Sequence, residues 1–108
     1  MRGDTAGTTV LRHGELFYDR VGRTVELNGH ALMLSERERT LLAIFLRQPG
    51  EMVSKAQIVE AMCEHGDPIS TNAVEVYVHR LRKRLAAGDV KIYTVRGLGY
   101  YLDEARNC

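Results

Sequence analysis

The sequence predicts an α+β domain: a four-stranded antiparallel sheet at the N-terminus, then three helices, then a C-terminal β-hairpin. Three observations predict it. Short β-type segments separated by turns occupy the first third of the chain, two helix-capping sequences precede apolar runs of helical period, and a glycine-bearing turn joins the last two strand-like runs. A chain of 108 residues is long enough for one hydrophobic core.

The N-terminal sheet is predicted from four short apolar segments. They cover residues 10–11, 16–18, 24–27 and 31–34. Asn28-Gly29 separates the last two, and this dipeptide favours a type I′ hairpin because both central residues need positive φ. Residues 1–7 have no periodicity and predict a disordered leader or linker remnant, so we expect the folded domain over 8–103 and a polar tail over 104–108.

Two capping boxes mark the starts of the first two helices. Ser35 with Glu38, and Ser54 with Gln57, have the spacing at which each side chain bonds the other residue's backbone N–H. Met52-Val53 between these helices could form one short strand. The third helix is predicted to start at 70–72, where three good N-cap residues are adjacent, and to run to 86–87 with Gly88 as its stop.

The third helix divides into two faces on a helical wheel. The predicted core face is a narrow stripe of Val74, Val78, Leu81 and Leu85. The opposite face is polar and basic except for one valine, and it contains Asn72, Val76, His79 and Lys83, with Arg80 at its edge. Tyr77, Arg82 and Arg84 flank the buried stripe.

The positive charge of the chain is concentrated at its C-terminal end. The net charge is only +1, yet residues 71–102 contain six basic and two acidic residues. A solvated helix face is the simpler explanation, but such a face usually alternates charge sign, and an outward valine suits a groove where it can contact a thymine methyl. Asn pairs with adenine and Arg with guanine in the major groove, so this helix predicts DNA binding. Its flanking residues Tyr77, Arg82 and Arg84 are predicted as phosphate contacts.

The C-terminal hairpin supplies a second predicted contact surface. Its strands are expected near 91–95 and 100–102, joined by Arg96-Gly97-Leu98-Gly99. Arg96 at this tight tip could contact a phosphate or enter the minor groove, and Thr94 could bond a phosphate oxygen. The alternative is an ordinary hairpin turn that contacts no ligand. The motif indicates DNA binding only because it follows a basic helix.

Three sequence blocks together resemble the OmpR/PhoB family of response-regulator transcription factors. They are LMLSERE at 32–38 leading into Leu41-Leu42, NAVEVYVHRLRKRL at 72–85, and YTVRGLGY at 93–100. The resemblance, which covers residues 8–102, implies a winged helix-turn-helix that binds double-stranded DNA as the output domain of a two-component system, with the helix at 71–86 in the major groove and the wing at 91–102 on the backbone or minor groove.

The resemblance also implies partners. Family members bind direct repeats as head-to-tail dimers and are switched by phosphorylation of an Asp in a separate receiver domain. The loop after the second helix is implied to face RNA polymerase, and it contains Glu64, His65, Gly66, Asp67, Pro68 and Ile69.

The sequence departs from the family pattern at several positions. No receiver domain is present, so we expect an effector domain of a longer regulator, and Asp4 in the leader is not the phosphoacceptor. Cys63 stands where many members carry Trp, so a contact of that Trp with the DNA backbone is not implied for this chain. Asn72 and Tyr77 stand where others often carry Arg and His, which implies weaker phosphate contacts there or their exchange for base contacts.

Other functional classes have little support in the sequence. Cys63 and His65 are the only nucleophile and base candidates, and residues two apart do not share a helix face, so no enzyme is expected. No metal-ligand spacing occurs and no cofactor is expected; Cys63 is interpreted as a small, half-buried apolar residue. The chain has no membrane-length apolar run or signal peptide, which predicts a cytoplasmic protein. A winged-helix protein-interaction module that docks an acidic partner remains the alternative.

Overall fold

The computed structural model describes residues 10–104 and has the predicted architecture. The N-terminal sheet consists of β1 (Val10–His13), β2 (Leu16–Asp19), β3 (Thr24–Leu27) and β4 (His30–Ala31). Three helices follow, α1 (Glu36–Leu46), α2 (Lys55–Glu64) and α3 (Thr71–Arg84). The chain then forms a hairpin of β5 (Val90–Val95) and β6 (Gly99–Glu104). The leader at 1–7 and residues 105–108 of the expected tail lie outside the described residues.

The four N-terminal strands are antiparallel and lie in sequence order. Asn28 and Gly29 have φ values of 54° and 81°, which confirms the turn predicted between β3 and β4. The predicted extent of the fourth strand, 31–34, is wrong. Leu32 still donates to the Val25 carbonyl at 2.8 Å, but Met33 is 79% exposed, because the chain leaves the sheet here to begin α1.

Both predicted capping boxes are confirmed. The Ser35 and Ser54 hydroxyls accept hydrogen bonds from Glu38 N and Gln57 N at 3.2 and 3.1 Å, and the Glu38 and Gln57 side chains accept from the two serine N–H groups at 3.0 and 2.9 Å. Ser70 caps α3 by accepting from Ala73 N at 3.2 Å. These local bonds satisfy amides that would otherwise have no partner in the first turn, and so define where each helix begins.

The end of α3 differs from the prediction. The helix stops at Arg84, before residues 86–87, and Gly88 is not its terminator. A Cβ at Gly88 would lie 2.5 Å from Leu27 Cδ1, so a larger residue here would displace the buried Leu27 side chain, because the loop passes against the N-terminal sheet. Steric contact with a distant strand, rather than helix capping, explains the residue.

The core is formed around α1, which contacts α2, α3, β1 and β6. Leu41, Leu42 and Phe45 of α1 are completely buried. The predicted inner stripe of α3 packs into the same core, and no member of that stripe is more than 1% exposed. Burial of this apolar stripe sets the rotation of α3 about its axis, so its opposite face must lie outward.

A short backbone bridge attaches the C-terminal hairpin to the segment before α2. Val53 N donates to Tyr100 O at 2.7 Å and Tyr100 N donates to Val53 O at 2.9 Å, so the short strand expected at 52–53 is an isolated bridge. A Cβ at Gly99 would lie 2.2 Å from the Val53 oxygen, and only glycine permits this approach. The hairpin therefore lies beside the first turn of α2.

Candidate nucleic-acid interface

The outward face of α3 is exposed as predicted. Asn72, His79, Arg80 and Lys83 are all exposed, and Val76 between them is 46% exposed. Nearly half of the surface of this apolar residue therefore remains in contact with water in the described domain. The face thus combines amide, imidazole, cationic and apolar groups, which are the types that contact base edges and phosphates.

Several basic side chains of this surface have no acidic partner. Within residues 10–104, His79, Lys83 and Arg96 make no hydrogen bond or salt bridge, and the Arg80 guanidinium lies 5.4 Å from the centroid of the Tyr77 ring. Tyr77 is half-buried. A helix C-terminus by itself favours basic residues, which accounts for part of the charge of the last turn. It does not account for Arg96 on the hairpin or for His79 and Arg80 farther from the helix end.

Arg82 and Thr94, both predicted as phosphate contacts, lie together and join α3 to the hairpin. Arg82 Nε donates to the Ile92 carbonyl at 3.0 Å, and its terminal nitrogen Nη2 donates to the Thr94 hydroxyl. The guanidinium also lies 6.0 Å from the Tyr100 ring centroid. Arg82 is half-buried, so much of its bonding capacity holds the hairpin against the helix. The sequence did not indicate this contact because it links two elements.

Arg84 is directed to the start of α1. Its Nε lies 3.6 Å from Glu38 Oε1, and the Glu38 side chain is 4% exposed. The same Glu38 oxygen accepts the Ser35 N–H of the capping box. One buried carboxylate therefore connects the first turn of α1 to the last turn of α3, and Arg84 supplies its countercharge.

A second ion pair, which the sequence did not indicate, lies at the other end of α3. Lys55 Nζ donates to Glu75 Oε2 at 2.5 Å, joining the first residue of α2 to the only acidic residue of α3. The hydrogen bond from Lys55 lowers the pKa of the Glu75 carboxyl, and the same bond raises the pKa of Lys55. The sequence does show Glu75 as the only acidic residue of α3, and this was the signal that could have indicated its pairing.

The hairpin tip is open to solvent beside this ion pair. Arg96 is exposed and Leu98 is 59% exposed, while Gly97 has a φ of 77° that forms the tight turn. A cleft of about 480 Å³ separates the tip from the helices. Its walls come from the start of α2, from Glu75 and from the hairpin segment 94–100.

Only part of the loop at 64–69 faces solvent. Glu64, His65, Gly66 and Pro68 are exposed, whereas Asp67 and Ile69 are half-buried. The Thr40 hydroxyl donates to Asp67 Oδ2 at 2.7 Å, and Asp67 N donates to Met62 O at 2.9 Å. Asp67 thus stabilises the loop conformation, and the exposed residues form its outer surface.

The interpretation of Cys63 as half-buried is wrong, because its thiol is free and the residue is exposed on the outer side of α2. The apolar positions around it suggested burial, but Met62 and Ile58 fill the core side of that helix. No group of three His, Cys, Asp or Glu side chains within residues 10–104 could hold a metal ion. None of the helices in this part of the chain is long and apolar enough to cross a membrane.

Comparison with known proteins identifies the family. Residues 29–102 match the family model described as "Transcriptional regulatory protein, C terminal". Response regulator protein PmrA of Pseudomonas aeruginosa is 39% identical over 94 residues, covering 87% of this chain and 42% of PmrA. The C-terminal domain of the nisin resistance regulator NsrR is 33% identical with a TM-score of 0.78, covering 89% of this chain and 99% of that one. The chain belongs to the OmpR/PhoB family of response regulators.

The OmpR/PhoB match is to the DNA-binding part of such regulators. The Klebsiella pneumoniae RstA DNA-binding domain, solved in complex with the RstA box, has a TM-score of 0.74 at 27% identity and covers 87% of this chain and 96% of that one. The family is a class of winged-helix transcription regulators and not a class of enzymes. Since the chain spans less than half the length of PmrA, it corresponds to one part of that regulator.

Proposed function

We propose that this OmpR/PhoB-type domain binds a specific double-stranded DNA sequence by inserting α3 into the major groove. The observation that carries the proposal is the exposed face of α3, on which a valine is surrounded by basic and amide side chains without acidic partners. Exposure of an apolar valine to water is unfavourable, whereas contact with a thymine methyl group would bury it. The excess of positive charge over residues 71–102 supplies the attraction to phosphates.

The side chains of the outward face divide by chemistry. Asn72 suits adenine, Arg80 suits the two acceptors of guanine, and Val76 suits the thymine methyl. His79 and Lys83 reach base edges or phosphates from the same face. Tyr77, Arg82, Arg84 and Thr94 lie on the flanks as phosphate contacts, and all four already make contacts within the domain. Their first role is to set the position of α3 and of the wing; a phosphate would be an additional partner.

The hairpin acts as the wing in this proposal. Arg96 at its exposed tip contacts the sugar-phosphate backbone or enters the minor groove next to the site occupied by α3. The bridge between Val53 and Tyr100 and the bonds from Arg82 hold the wing at a constant position relative to α3. A preorganised second contact of this kind adds affinity because the backbone of the wing is already ordered before binding.

The proposal extends to the partners of the longer regulator. The exposed part of the loop at 64–69 contacts RNA polymerase, and the domain acts under the control of a receiver domain. Two copies bind head to tail on direct repeats. Support for these partners comes from the family alone, and the exposure of Glu64, His65 and Pro68 is compatible with such a contact.

Selection of bound duplexes from a random pool tests the central proposal. We expect one enriched half-site, present as a direct repeat, whose affinity falls steeply with salt in proportion to the phosphates neutralised. Absence of DNA binding at micromolar protein and low salt would refute the proposal. Binding of an acidic protein instead would favour the protein-interaction alternative.

Two substitutions separate base contacts from phosphate contacts. Arg80→Ala should cost about 1–3 kcal/mol on the selected duplex and relax the preference at one base pair. Arg96→Ala should weaken all duplexes alike and lower the salt dependence. Arg12→Ala on β1, which removes the same charge from the N-terminal sheet, is the control. An equal loss on selected and random duplexes for Arg80→Ala would exclude its role in base recognition.

A further inference from the structure

Glu75 is a carboxylate at the edge of the outward face of α3, whose other charged residues are basic. It is the only acidic residue among the 14 residues of this helix. It lies three positions after Asn72 and four before His79, so all three share one side of the helix. A negative charge beside phosphates is repelled by them, which weakens binding to any sequence. A favourable contact between the carboxylate and one base pair would offset this loss of affinity.

The position of Glu75 makes it accessible to a ligand. Its side chain is 67% exposed and lines the cleft of about 480 Å³ between α3, the start of α2 and the wing. Oε2 accepts the hydrogen bond from Lys55 Nζ at 2.5 Å. Oε1 makes no hydrogen bond within the described part of the chain. One oxygen is therefore held by the protein and the other remains available as an acceptor.

Lys55 limits the conformations of that carboxylate. Lys55 is the first residue of α2 and its side chain is 39% exposed, so the ammonium group reaches Glu75 from an element anchored in the core. The hydrogen bond from Lys55 also lowers the pKa of Glu75, so the carboxylate is ionised throughout the neutral range. An ionised carboxylate offers acceptors only, and no hydrogen-bond donor.

We propose that Glu75 is a specificity-determining residue that accepts a hydrogen bond from the N4 amino group of a cytosine, and that Lys55 is its positioning residue. Among the bases, cytosine presents an amino donor in the major groove without an adjacent acceptor of its own. Adenine places N7 beside its amino group, and that acceptor repels a carboxylate oxygen. The inference rests on the proposed major-groove binding of α3.

The same carboxylate has a second consequence for selectivity. On duplexes without a cytosine in the right place, Glu75 only opposes the attraction of the neighbouring cations to phosphate. It lowers affinity for random DNA while stabilising the complex with one sequence. Both effects increase the ratio of specific to non-specific binding, which determines occupancy among many competing sites.

The test compares side-chain and base-pair changes in one series. The selected duplex is substituted at each base pair in turn, and binding is measured for the wild-type chain and for Glu75→Ala, which removes both acceptor oxygens. We expect Glu75→Ala to lose roughly 5- to 150-fold on the selected duplex, to bind random DNA more tightly, and to be indifferent to replacement of one particular C·G pair. Glu60→Ala, which makes the same change on the exposed surface of α2, is the control.

Lys55→Met tests the positioning role. Alone it should lose part of the preference for that C·G pair, whereas in the Glu75→Ala background it should cause no further loss of preference. Glu75→Asp, whose side chain is shorter, should also lose the preference while retaining the charge, and thermal unfolding checks that each variant folds. If Glu75→Ala keeps the wild-type preference at every base pair, the inference is wrong. If the wild-type chain selects no duplex, the proposed function itself has failed.

Discussion

The close approach of Gly99 to the Val53 carbonyl makes Gly99→Ala the most informative change to the wing. An alanine Cβ would lie 2.2 Å from Val53 O and 2.8 Å from Ser54 Cα, and both of these neighbours are backbone atoms. Backbone cannot rotate away as a side chain does, so the hairpin and the segment before α2 must separate. Gly97→Ala is the matched control, since a Cβ there has no neighbour within 4 Å and only the φ of 77° opposes it.

The expected loss follows from what the separation breaks. The two hydrogen bonds between Val53 and Tyr100 are each worth about 0.5–1.5 kcal/mol net. Val53 is 6% exposed, and its partial return to water adds up to about 1.5–3 kcal/mol. Gly99→Ala should therefore reduce the free energy of unfolding by about 2–5 kcal/mol. Gly97→Ala should cost about 1–2 kcal/mol, the usual penalty of a left-handed residue with a side chain.

Urea denaturation followed by circular dichroism measures both variants, and DNA binding under native conditions shows the consequence for the wing. A loss of 2–5 kcal/mol is a large part of the about 5–15 kcal/mol that stabilises an ordinary domain. We expect Gly99→Ala also to weaken binding to every duplex, because Arg96 loses its position. Equal midpoints for the Gly99 and Gly97 variants would show that the bridge does not contribute to wing attachment.

Three further predictions concern α3. Arg82→Met should cost about 1–3 kcal/mol of stability, since it removes the charged donor to the wing, and should weaken selected and random duplexes alike; a loss confined to the selected duplex would contradict this. Val78→Ala should lower stability by about 1.5–3 kcal/mol in urea, whereas the exposed Val76→Ala should change it by under about 0.5 kcal/mol yet weaken the selected duplex. Lys55→Met should raise the pKa of Glu75 toward its ordinary value in a carbon-13 NMR titration; an unchanged pKa would show that the ion pair does not form in solution.

The elements that sequence predicted well are those whose bonds are local. The capping boxes at Ser35 and Ser54 join residues three positions apart, so spacing alone reveals them. The turn at Asn28-Gly29 depends on two adjacent backbone conformations. The errors in extent occurred at the fourth strand and at the end of α3, where the chain leaves a regular element to reach another part of the fold.

The candidate interface was predicted as a set of residues but not as a set of contacts. The helical period of α3 was enough to separate Val74 and Val78 from Val76 and His79, because burial of one stripe exposes the other. The sequence did not indicate that Arg82 and Arg84 have partners within the domain. Those partners lie on other elements, and no spacing along the chain encodes them.

The sequence alone determined the order of the elements, the helix starts, the two faces of α3 and the family, since each depends on short-range bonding, periodicity or recognisable motifs. Only the tertiary structure decided which charges remain available to a ligand. It joined Arg82 to the wing, Arg84 to Glu38 and Glu75 to Lys55, and it required glycine at position 99. These outcomes depend on distances between elements that are far apart in sequence, which packing of the shared core establishes.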